Sequence, residues 1–266
     1  LPLVLLANED SRFVQAEALT DVARRLFAQD SADVVLPLDA DEFVKSPSRA
    51  ELERVLRAIP AGAQGQLHWQ NYVPDFARPG ADLREVIASS RRATSEIHGL
   101  YKVAVTRAFA AMPDAVLAQG LHFVAPRPGA TLDEIGPHAR LRPQSVAIAH
   151  LPLRSAEQFV VKVAVKKLGR LSVANDWTAD AAMQSCYERM REGAPIDPSA
   201  LRLAAANWSV PVGSWIDPDV RHWVDDPFLA PVTLRYTPPA AASPIPLVLG
   251  AVERMVARLA AARRSR

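Results

Sequence analysis

Val35-Leu36-Pro37-Leu38-Asp39-Ala40-Asp41-Glu42-Phe43 joins a short apolar run to a cluster of carboxylates. The run from Asp33 to Leu38 predicts a buried strand. A helical pattern precedes it from Gln15 to Gln29, with apolar residues at spacings of three and four, and Leu3 to Leu6 predicts an earlier strand. Strand, helix and strand in this order indicate a parallel pair with a right-handed crossover, and therefore an α/β fold. Asp39 is then expected at the carboxyl end of the second strand, where open α/β sheets bind ligands.

The rest of the chain predicts a mixed sheet flanked by helices. Capping boxes at Ser48 to Glu51 and at Ser155 to Gln158 predict helix starts, the first helix ending before Pro60 and the second near Leu168. Further strands are predicted at 67–73, 100–105, 121–124 and 145–148. Further helices are predicted near 179–191, at 198–206 and, after a proline-rich linker at 238–246, at 248–259.

Composition bounds the class of protein. The 266 residues are 49% hydrophobic and 23% charged, and 31 Lys+Arg nearly balance 29 Asp+Glu, which is typical of a globular enzyme and predicts no nucleic-acid partner. The single cysteine, Cys186, excludes an intrachain disulfide and a cysteine-based metal site. No apolar run approaches the roughly 20 residues of a membrane span, and no basic-then-apolar leader is present. We expect a cytoplasmic protein, with possible peripheral contact at the inner face of a membrane through the basic terminal helix.

The carboxylates suggest a metal site. Alternate side chains of an extended segment point the same way, so Asp39 and Asp41 could present two carboxylates to one ligand. Such oxygen ligands suit Mn²⁺ or Mg²⁺, and these cations typically bind one or two carboxylates together with substrate phosphates. The pair is therefore a candidate clamp for a nucleotide diphosphate. The alternative, two solvated loop aspartates, is the more frequent explanation of an isolated Asp-x-Asp.

The sequence resembles the bacterial glycosyltransferase family 2-like proteins, whose metal motif is Asp-Ala-Asp-Glu-Phe after a strand ending in Pro-Leu. Leu1 to Leu6 resembles the family's segment before the motif, and Gln15 begins the helix where the family has a Gln-rich entry. Three segments after the motif also resemble that family: Tyr101-Lys102-Val103, Gly120-Leu121-His122, and His150-Leu151-Pro152-Leu153-Arg154-Ser155-Ala156-Glu157-Gln158-Phe159. Together the matching segments span roughly Leu1 to Gly169. The helical remainder resembles the family only loosely.

The resemblance implies a GT-A-like mixed sheet over residues 1–170 and a mainly helical C-terminal extension over 171–266. It also implies a UDP- or GDP-sugar donor, a bound Mn²⁺ or Mg²⁺, and transfer, with inversion, to a hydroxyl of a glycan or other acceptor, in bacterial surface glycan synthesis. Family members carry an Asn-Glu strand and an Asp-x-x-Ser-Thr-Asp-Gly turn upstream, which grip the base and ribose. Neither is in this sequence, which starts at Leu1 directly in a predicted strand. We therefore expect a fragment with the metal site but half of the nucleotide pocket.

The candidate site residues follow from the matched segments. We expect a metal to be bound by Asp39, Asp41 and His150, and the diphosphate to be contacted by Asp39, Lys102, His150 and Arg154, because lysine and arginine neutralise phosphate. Trp69 is a candidate for stacking on a sugar. The catalytic candidates are Asp41, Glu42 and His122.

Alternatives stay open for most of these residues. Glu42, His122, Asp133 and Glu134 are all conceivable as the base that takes the acceptor proton. Each histidine could instead bond to the backbone, Lys102 and Arg154 could be surface charges, and Trp69 and Tyr72 could belong to the core.

Two other functions compete with sugar transfer. One is an Asp-x-Asp phosphohydrolase, with the first Asp as nucleophile, although Glu42-Phe43 stands where such enzymes carry a small pair like Gly-Thr. The other is a non-catalytic glycosyltransferase-like binding or scaffold domain.

Overall fold

The computed structural model describes residues 15–29, 32–77, 83–96, 99–172, 181–194, 196–226, 248, 250–255 and 257. The predicted strand at 3–6 and the linker at 238–246 lie outside these residues. Of the predicted terminal helix, residues 248, 250–255 and 257 are helical. No helix among the described residues is both long and apolar enough to cross a membrane.

The fold is α/β, as predicted, with a curled mixed sheet of eight strands. The helices are α1 Gln15–Gln29, α2 Arg49–Arg57, α3 Leu83–Ala88, α4 Ala156–Ser172, α5 Ala181–Arg191 and α6 Pro198–Ala206. The strands are β1 Val34–Val35, β2 Glu42–Lys45, β3 Gln64–Val73, β4 Arg91–Ala93, β5 Tyr101–Thr106, β6 Val116–Leu117, β7 Val124–Ala125, β8 His138–Arg140, β9 Ala147–His150 and β10 Trp223–Val224. Short 3₁₀ helices occupy Arg107–Ala111, Leu132–Glu134, Val212–Ser214 and Pro218–Val220.

Strand β3 is the centre of the large sheet. It pairs antiparallel with β4 and β5, and parallel with β8 and β9. Strand β2 pairs antiparallel with β9 and places Glu42 opposite His150, while β6 and β7 form a separate two-stranded sheet. Glu42 of the Asp39–Phe43 motif and His150 of the 150–159 segment therefore lie close to each other beside β3.

Most helices of the described residues were predicted because their signals are local, whereas the short helix α3 was not predicted. The predicted bounds of α1 and α6 are confirmed. Helix α2 begins after Ser48, whose hydroxyl accepts a hydrogen bond from the Glu51 N–H at 3.1 Å. Helix α4 begins after Ser155, whose hydroxyl accepts from the Gln158 N–H at 3.1 Å. Each serine thus satisfies a main-chain donor that the helix itself leaves unpaired.

Strand predictions need correction at three places. The strand predicted at 121–124 is wrong, because Leu121 has a φ of 61°, which an extended strand excludes, and β7 begins only at Val124. The strand predicted at 145–148 begins at Ala147, since the Ser145 and Val146 N–H groups both bond the Arg142 carbonyl in a turn. The strand predicted over Asp33–Leu38 is limited to β1.

Among the described residues, β2, β4, β6, β8 and β10 were not predicted. The first residues of β2 belong to the motif, which we interpreted as the end of the preceding strand. The structure instead places Asp39 and Asp41 in the connection between β1 and β2. Strand β1 pairs antiparallel with β5, and the predicted parallel partner of β1 lies outside the described residues.

Three hydrophobic clusters are present among the described residues, and the two largest pack helices against the sheet. Helix α1 packs with β5, β6 and β7 through Ala23, Phe27, Val103 and Leu117. On the other side, β3 and β9 share a core with α2, α4, α5 and α6. Met183 and Leu201, from α5 and α6, are at most 3% exposed in that core. The predicted extension therefore packs directly on the sheet that carries the motif.

Candidate metal and phosphate site

The motif forms a turn that separates its carboxylates. The Glu42 N–H donates to the Asp39 carbonyl at 3.0 Å, and the Asp39 N–H donates back to Glu42 Oε2 at 2.9 Å. The Glu42 side chain is only 1% exposed, while those of Asp39 and Asp41 are 33% and 15% exposed. Only the two aspartates therefore open toward a ligand.

Lys102 fixes this turn from below. Its side chain is 1% exposed, and its ammonium lies 2.9 Å from Asp39 Oδ2, 2.8 Å from Glu42 Oε2 and 3.1 Å from the Gly120 carbonyl. A buried ammonium is tolerated only when it is paired and hydrogen-bonded, and these three oxygens meet that need. Lys102 was predicted to contact phosphate, but in the structure its ammonium binds the carboxylates of the turn.

The Glu42 carboxylate is also held by several donors. Besides Lys102 and the Asp39 N–H, it accepts a hydrogen bond from Trp69 Nε1 at 2.9 Å. Burial raises the pKa of Glu42 above its usual value, although the Lys102 ammonium opposes that rise. Glu42 was predicted as a catalytic carboxylate, and its position favours a role in holding the turn.

Asp41 and His150 face each other within the cluster. Asp41 Oδ2 lies 3.8 Å from His150 Nε2. His150 Nδ1 lies 2.7 Å from Asn71 Oδ1, and because an amide oxygen only accepts, Nδ1 carries the proton and Nε2 presents a lone pair. Burial, helped by Lys162, Lys102 and His122, holds the pKa of His150 well below its usual value. His150 is therefore neutral, and its Nε2 lone pair faces Asp41.

Aromatic rings form the wall beside His150. The Trp69 ring stacks on the imidazole at 3.9 Å between centroids and 26° between planes, and it meets His122 edge-on at 5.7 Å. Trp69 is 6% exposed. Trp69 was predicted to stack on a sugar, but in the structure its ring stacks on His150.

Lys162 is a site residue that the sequence analysis missed. Its ammonium lies 2.6 Å from Asp41 Oδ2 and 3.1 Å from the Pro152 carbonyl, and 4.4 Å from the centroid of the Trp208 ring. Burial lowers the pKa of Lys162, against the raising effect of Asp41. A signal was available in the sequence, because Lys162 lies between Phe159 and Val163, the buried face of α4.

Three other residues were also missed. Gln15, the first residue of α1, donates from Nε2 to Asp39 Oδ1 at 2.5 Å. Asn71 orients His150, and Glu96 in turn accepts a hydrogen bond from the Asn71 N–H at 2.8 Å. Gln15 stands where the resembling family has a Gln-rich helix start, although it was not predicted as a site residue. No local pattern marks Asn71 or Glu96, since each acts through a contact with a distant part of the chain.

His122 is part of the cluster because its ring contacts the Trp69 ring edge-on. Its Nδ1 lies 2.8 Å from the Tyr101 carbonyl and therefore donates to it. Burial lowers the pKa of His122, so the ring is neutral with the Nε2 lone pair available. Gly120 has a φ of 78°, and a Cβ at Gly120 would lie 2.7 Å from His122 Nε2.

Arg154 and the acidic pair at 133–134 lie outside the cluster. Within the described residues Arg154 makes no hydrogen bond or ion pair to it; its main-chain N–H bonds Gln158 Oε1 at 3.1 Å, and its buried Nε has no hydrogen-bond partner there. Glu134 pairs with Arg127 on the surface, beside the exposed Asp133. The structure therefore brings together the predicted residues Asp39, Asp41, Glu42, Trp69, Lys102, His122 and His150.

A cleft of about 930 Å³ is lined by residues other than Asp39, Asp41 and His150. Its charged residues include Lys45 and Arg92, which both pair with Asp226, and Glu96. In the cluster, the partly exposed carboxylates of Asp39 and Asp41 are each paired with one lysine, and Asp41 also lies beside the neutral imidazole of His150. We therefore place the candidate functional site at the cluster.

Among the described residues, no group of three or more His, Cys, Asp or Glu side chains is placed to hold a metal ion. Asp41 and His150 offer two donors, which a divalent cation could use together with substrate phosphates. A carboxylate oxygen and an imidazole nitrogen are ligands that Mn²⁺ accepts. Asp39 is partly used, since Gln15 and Lys102 bond its two oxygens. With Glu42 ionised and His150 neutral, three carboxylates and the two ammonium groups of Lys102 and Lys162 leave a net charge of −1.

Comparison of the chain with protein-family models, with curated proteins and with solved structures finds no match.

Proposed function

We propose that this protein is a metal-dependent glycosyltransferase that moves a sugar from a UDP- or GDP-sugar to an acceptor hydroxyl. The observation that carries the proposal is the Asp41 carboxylate 3.8 Å from the lone pair of a neutral, buried His150. The resemblance of the motif and of the 150–159 segment to glycosyltransferase family 2-like proteins supports it.

Charge gives the physical reason for a cation. The net charge of −1 at the cluster repels a diphosphate, whereas one added divalent cation changes that charge to +1 and attracts it. Asp41 and His150 would hold the cation, with Asp39 beside them. When bound, the cation would stabilise the negative charge that develops on the departing nucleoside diphosphate.

The surrounding residues keep this arrangement in place. Lys102 and Glu42 fix the turn, so that Asp39 and Asp41 need no rearrangement when a ligand arrives. Trp69 fixes the plane of the His150 ring. Preorganised groups of this kind are the main source of electrostatic stabilisation in enzymes.

Among the candidate bases, the geometry favours His122. Glu42 is buried under three donors and cannot reach an acceptor hydroxyl. His122 is neutral, its Nδ1 proton is held by the Tyr101 carbonyl, and no described residue bonds its Nε2. We assign Nε2 of His122 as the atom that takes the acceptor proton.

The test is release of nucleoside diphosphate from UDP- and GDP-sugars, with and without Mn²⁺. We expect release that requires Mn²⁺ or Mg²⁺, that is abolished in Asp41→Asn and that is reduced about 100-fold in His122→Gln. Asp133→Asn, an exposed aspartate outside the cluster, is the matched control and keeps full activity. Release that persists in Asp41→Asn would overturn the proposal, and nucleotide binding without release would support a non-catalytic domain instead.

A further inference from the structure

The two lysines of the cluster differ in how firmly they are held. Lys102 is 1% exposed and bonded to two carboxylates and a carbonyl. Lys162 is 24% exposed and bonded to one carboxylate, Asp41, and to the Pro152 carbonyl. A lysine on a flexible four-carbon stem with a single charged partner can move its ammonium without unpairing a buried network. Lys162 is therefore the movable cation of the site.

Lys162 occupies the carboxylate oxygen that a metal needs. Its ammonium and His150 Nε2 both face Asp41 Oδ2, at 2.6 Å and 3.8 Å. A divalent cation bound by Asp41 and His150 would lie within a few ångströms of the ammonium in a partly buried site, where repulsion between like charges is strong. Metal binding to the empty site therefore competes with Lys162.

A diphosphate changes this balance. Its negative charges attract both the metal and the ammonium, so that Lys162 can leave Asp41 and still be paired. The Trp208 ring, 4.4 Å from the ammonium, offers a favourable surface to the cation in either position.

We propose that Lys162 makes metal binding depend on the diphosphate: it neutralises Asp41 in the empty site and turns to the diphosphate when metal and nucleotide bind together. This inference rests on the proposed function. Because coupling between two ligands is reciprocal, the nucleotide must tighten metal binding by the same factor by which the metal tightens nucleotide binding. The site then holds little metal until a donor arrives.

The experiment measures Mn²⁺ affinity by titration calorimetry, without nucleotide and with saturating UDP, GDP or inorganic pyrophosphate. The variants are the wild type, Lys162→Gln and Lys167→Gln. Lys167 lies on the same helix, but its ammonium contacts Gln184 and the Tyr187 ring. The Lys167→Gln variant therefore removes the same charge from α4 without touching Asp41.

We expect the wild type and Lys167→Gln to bind Mn²⁺ weakly alone and about tenfold or more tightly with diphosphate. Lys162→Gln should bind Mn²⁺ about tenfold more tightly than the wild type without nucleotide, and gain less from adding it. Equal Mn²⁺ affinity and equal coupling in Lys162→Gln and the wild type would overturn the role of Lys162 and leave the proposed function standing. No Mn²⁺ binding in any variant, with or without diphosphate, would overturn both.

Discussion

The Nδ1 atom of His150 lies 2.7 Å from the Oδ1 atom of Asn71, and both side chains are buried. Asn71 is itself held by Glu96, whose carboxylate accepts from the Asn71 main-chain N–H at 2.8 Å. The amide of Asn71 fixes which imidazole nitrogen carries the proton, and so directs the lone pair of Nε2 at Asp41. The reactivity of His150 is therefore determined by a residue that faces no ligand.

Asn71→Leu tests this arrangement. The substitution leaves the Nδ1 proton of His150 without an acceptor, which we expect to lower the free energy of unfolding by about 1–3 kcal/mol. Loss of the residue that orients a metal-binding histidine is expected to weaken Mn²⁺ binding by about 10–100-fold. Titration with Mn²⁺ in the presence of UDP or GDP, and ¹⁵N spectra of the histidine side chains, measure both effects.

Gln70→Leu is the control for that experiment, because Gln70 is the adjacent amide of β3 and its buried Oε1 has no hydrogen-bond partner among the described residues. It should leave Mn²⁺ affinity unchanged. A wild-type tautomer and wild-type Mn²⁺ affinity in Asn71→Leu would show that Asn71 does not orient His150.

Trp69→Phe separates the hydrogen bond of Trp69 from its stacking. The phenyl ring keeps an aromatic face against His150 but removes the N–H that Glu42 Oε1 accepts at 2.9 Å. Because Glu42 is buried and charged, we expect a loss of about 1.5–3 kcal/mol in the free energy of unfolding, measured with urea. Trp215→Phe removes a similar bond to a neutral acceptor, the Val210 carbonyl, and should cost about 1 kcal/mol. Equal losses would show that the charge of Glu42 is not the cause.

Lys102→Met removes the cation beneath the turn. Asp39 and Glu42 then face each other without the ammonium that now bonds both, and we expect a loss of about 3–5 kcal/mol in unfolding free energy. Adding Glu42→Gln removes the buried charge that Lys102 neutralised, so the double variant should recover part of the loss. Failure of the double variant to recover stability would show that Lys102 acts through packing.

The histidines predict how stability depends on pH. The folded-state pKa of His150 lies well below the 6.5 of the unfolded chain, so the unfolded chain binds more protons between the two values. The stability contributed by neutral His150 is complete above pH 6.5 and falls as pH decreases toward the folded-state pKa, by at most about 1.4 kcal/mol per pH unit.

Urea unfolding in a chelating buffer at a series of pH values measures this effect. His150→Gln should flatten the decline below pH 6.5, whereas His138→Gln, a change at an exposed histidine of β8, should not. Glu42 contributes in the opposite direction, because its raised pKa makes stability decrease as pH rises above 4.5. That contribution is common to the wild type and His150→Gln and cancels in their difference, so parallel profiles of these two proteins would contradict the prediction.

The sequence predicts features that depend on neighbouring residues. The capping serines Ser48 and Ser155 and the apolar spacing in α1 and α6 locate helices because capping and amphipathicity are local. Sheet register is not local: β2 is recognisable only through its pairing with β9, which places Glu42 opposite His150. The alternation of side chains along an extended segment predicts that Asp39 and Asp41 point the same way. It does not predict the turn that directs Glu42 inward.

In the candidate site, residues in the segments that resemble the family were predicted, and residues that act through long-range contacts were not. Asp39, Asp41, Lys102 and His150 were expected together because each lies in a segment that resembles one family. Lys162 contacts Asp41 across 121 positions of the chain, and Asn71 contacts His150 across 79. Such contacts depend on how the sheet and α4 pack, which the spacing of residues along the chain does not specify.

The core shared by β3, α5 and α6 has a consequence for exchanging parts of this protein. Trp208, which follows α6, lies beside both Lys162 and His150, and it belongs to the same hydrophobic cluster as Met183 and Leu201. Grafting a different helical segment after residue 170 would therefore change the surroundings of Lys162 and His150. Changes to α5 and α6 that leave the candidate site intact have to be made as single substitutions, not by replacing the two helices as a module.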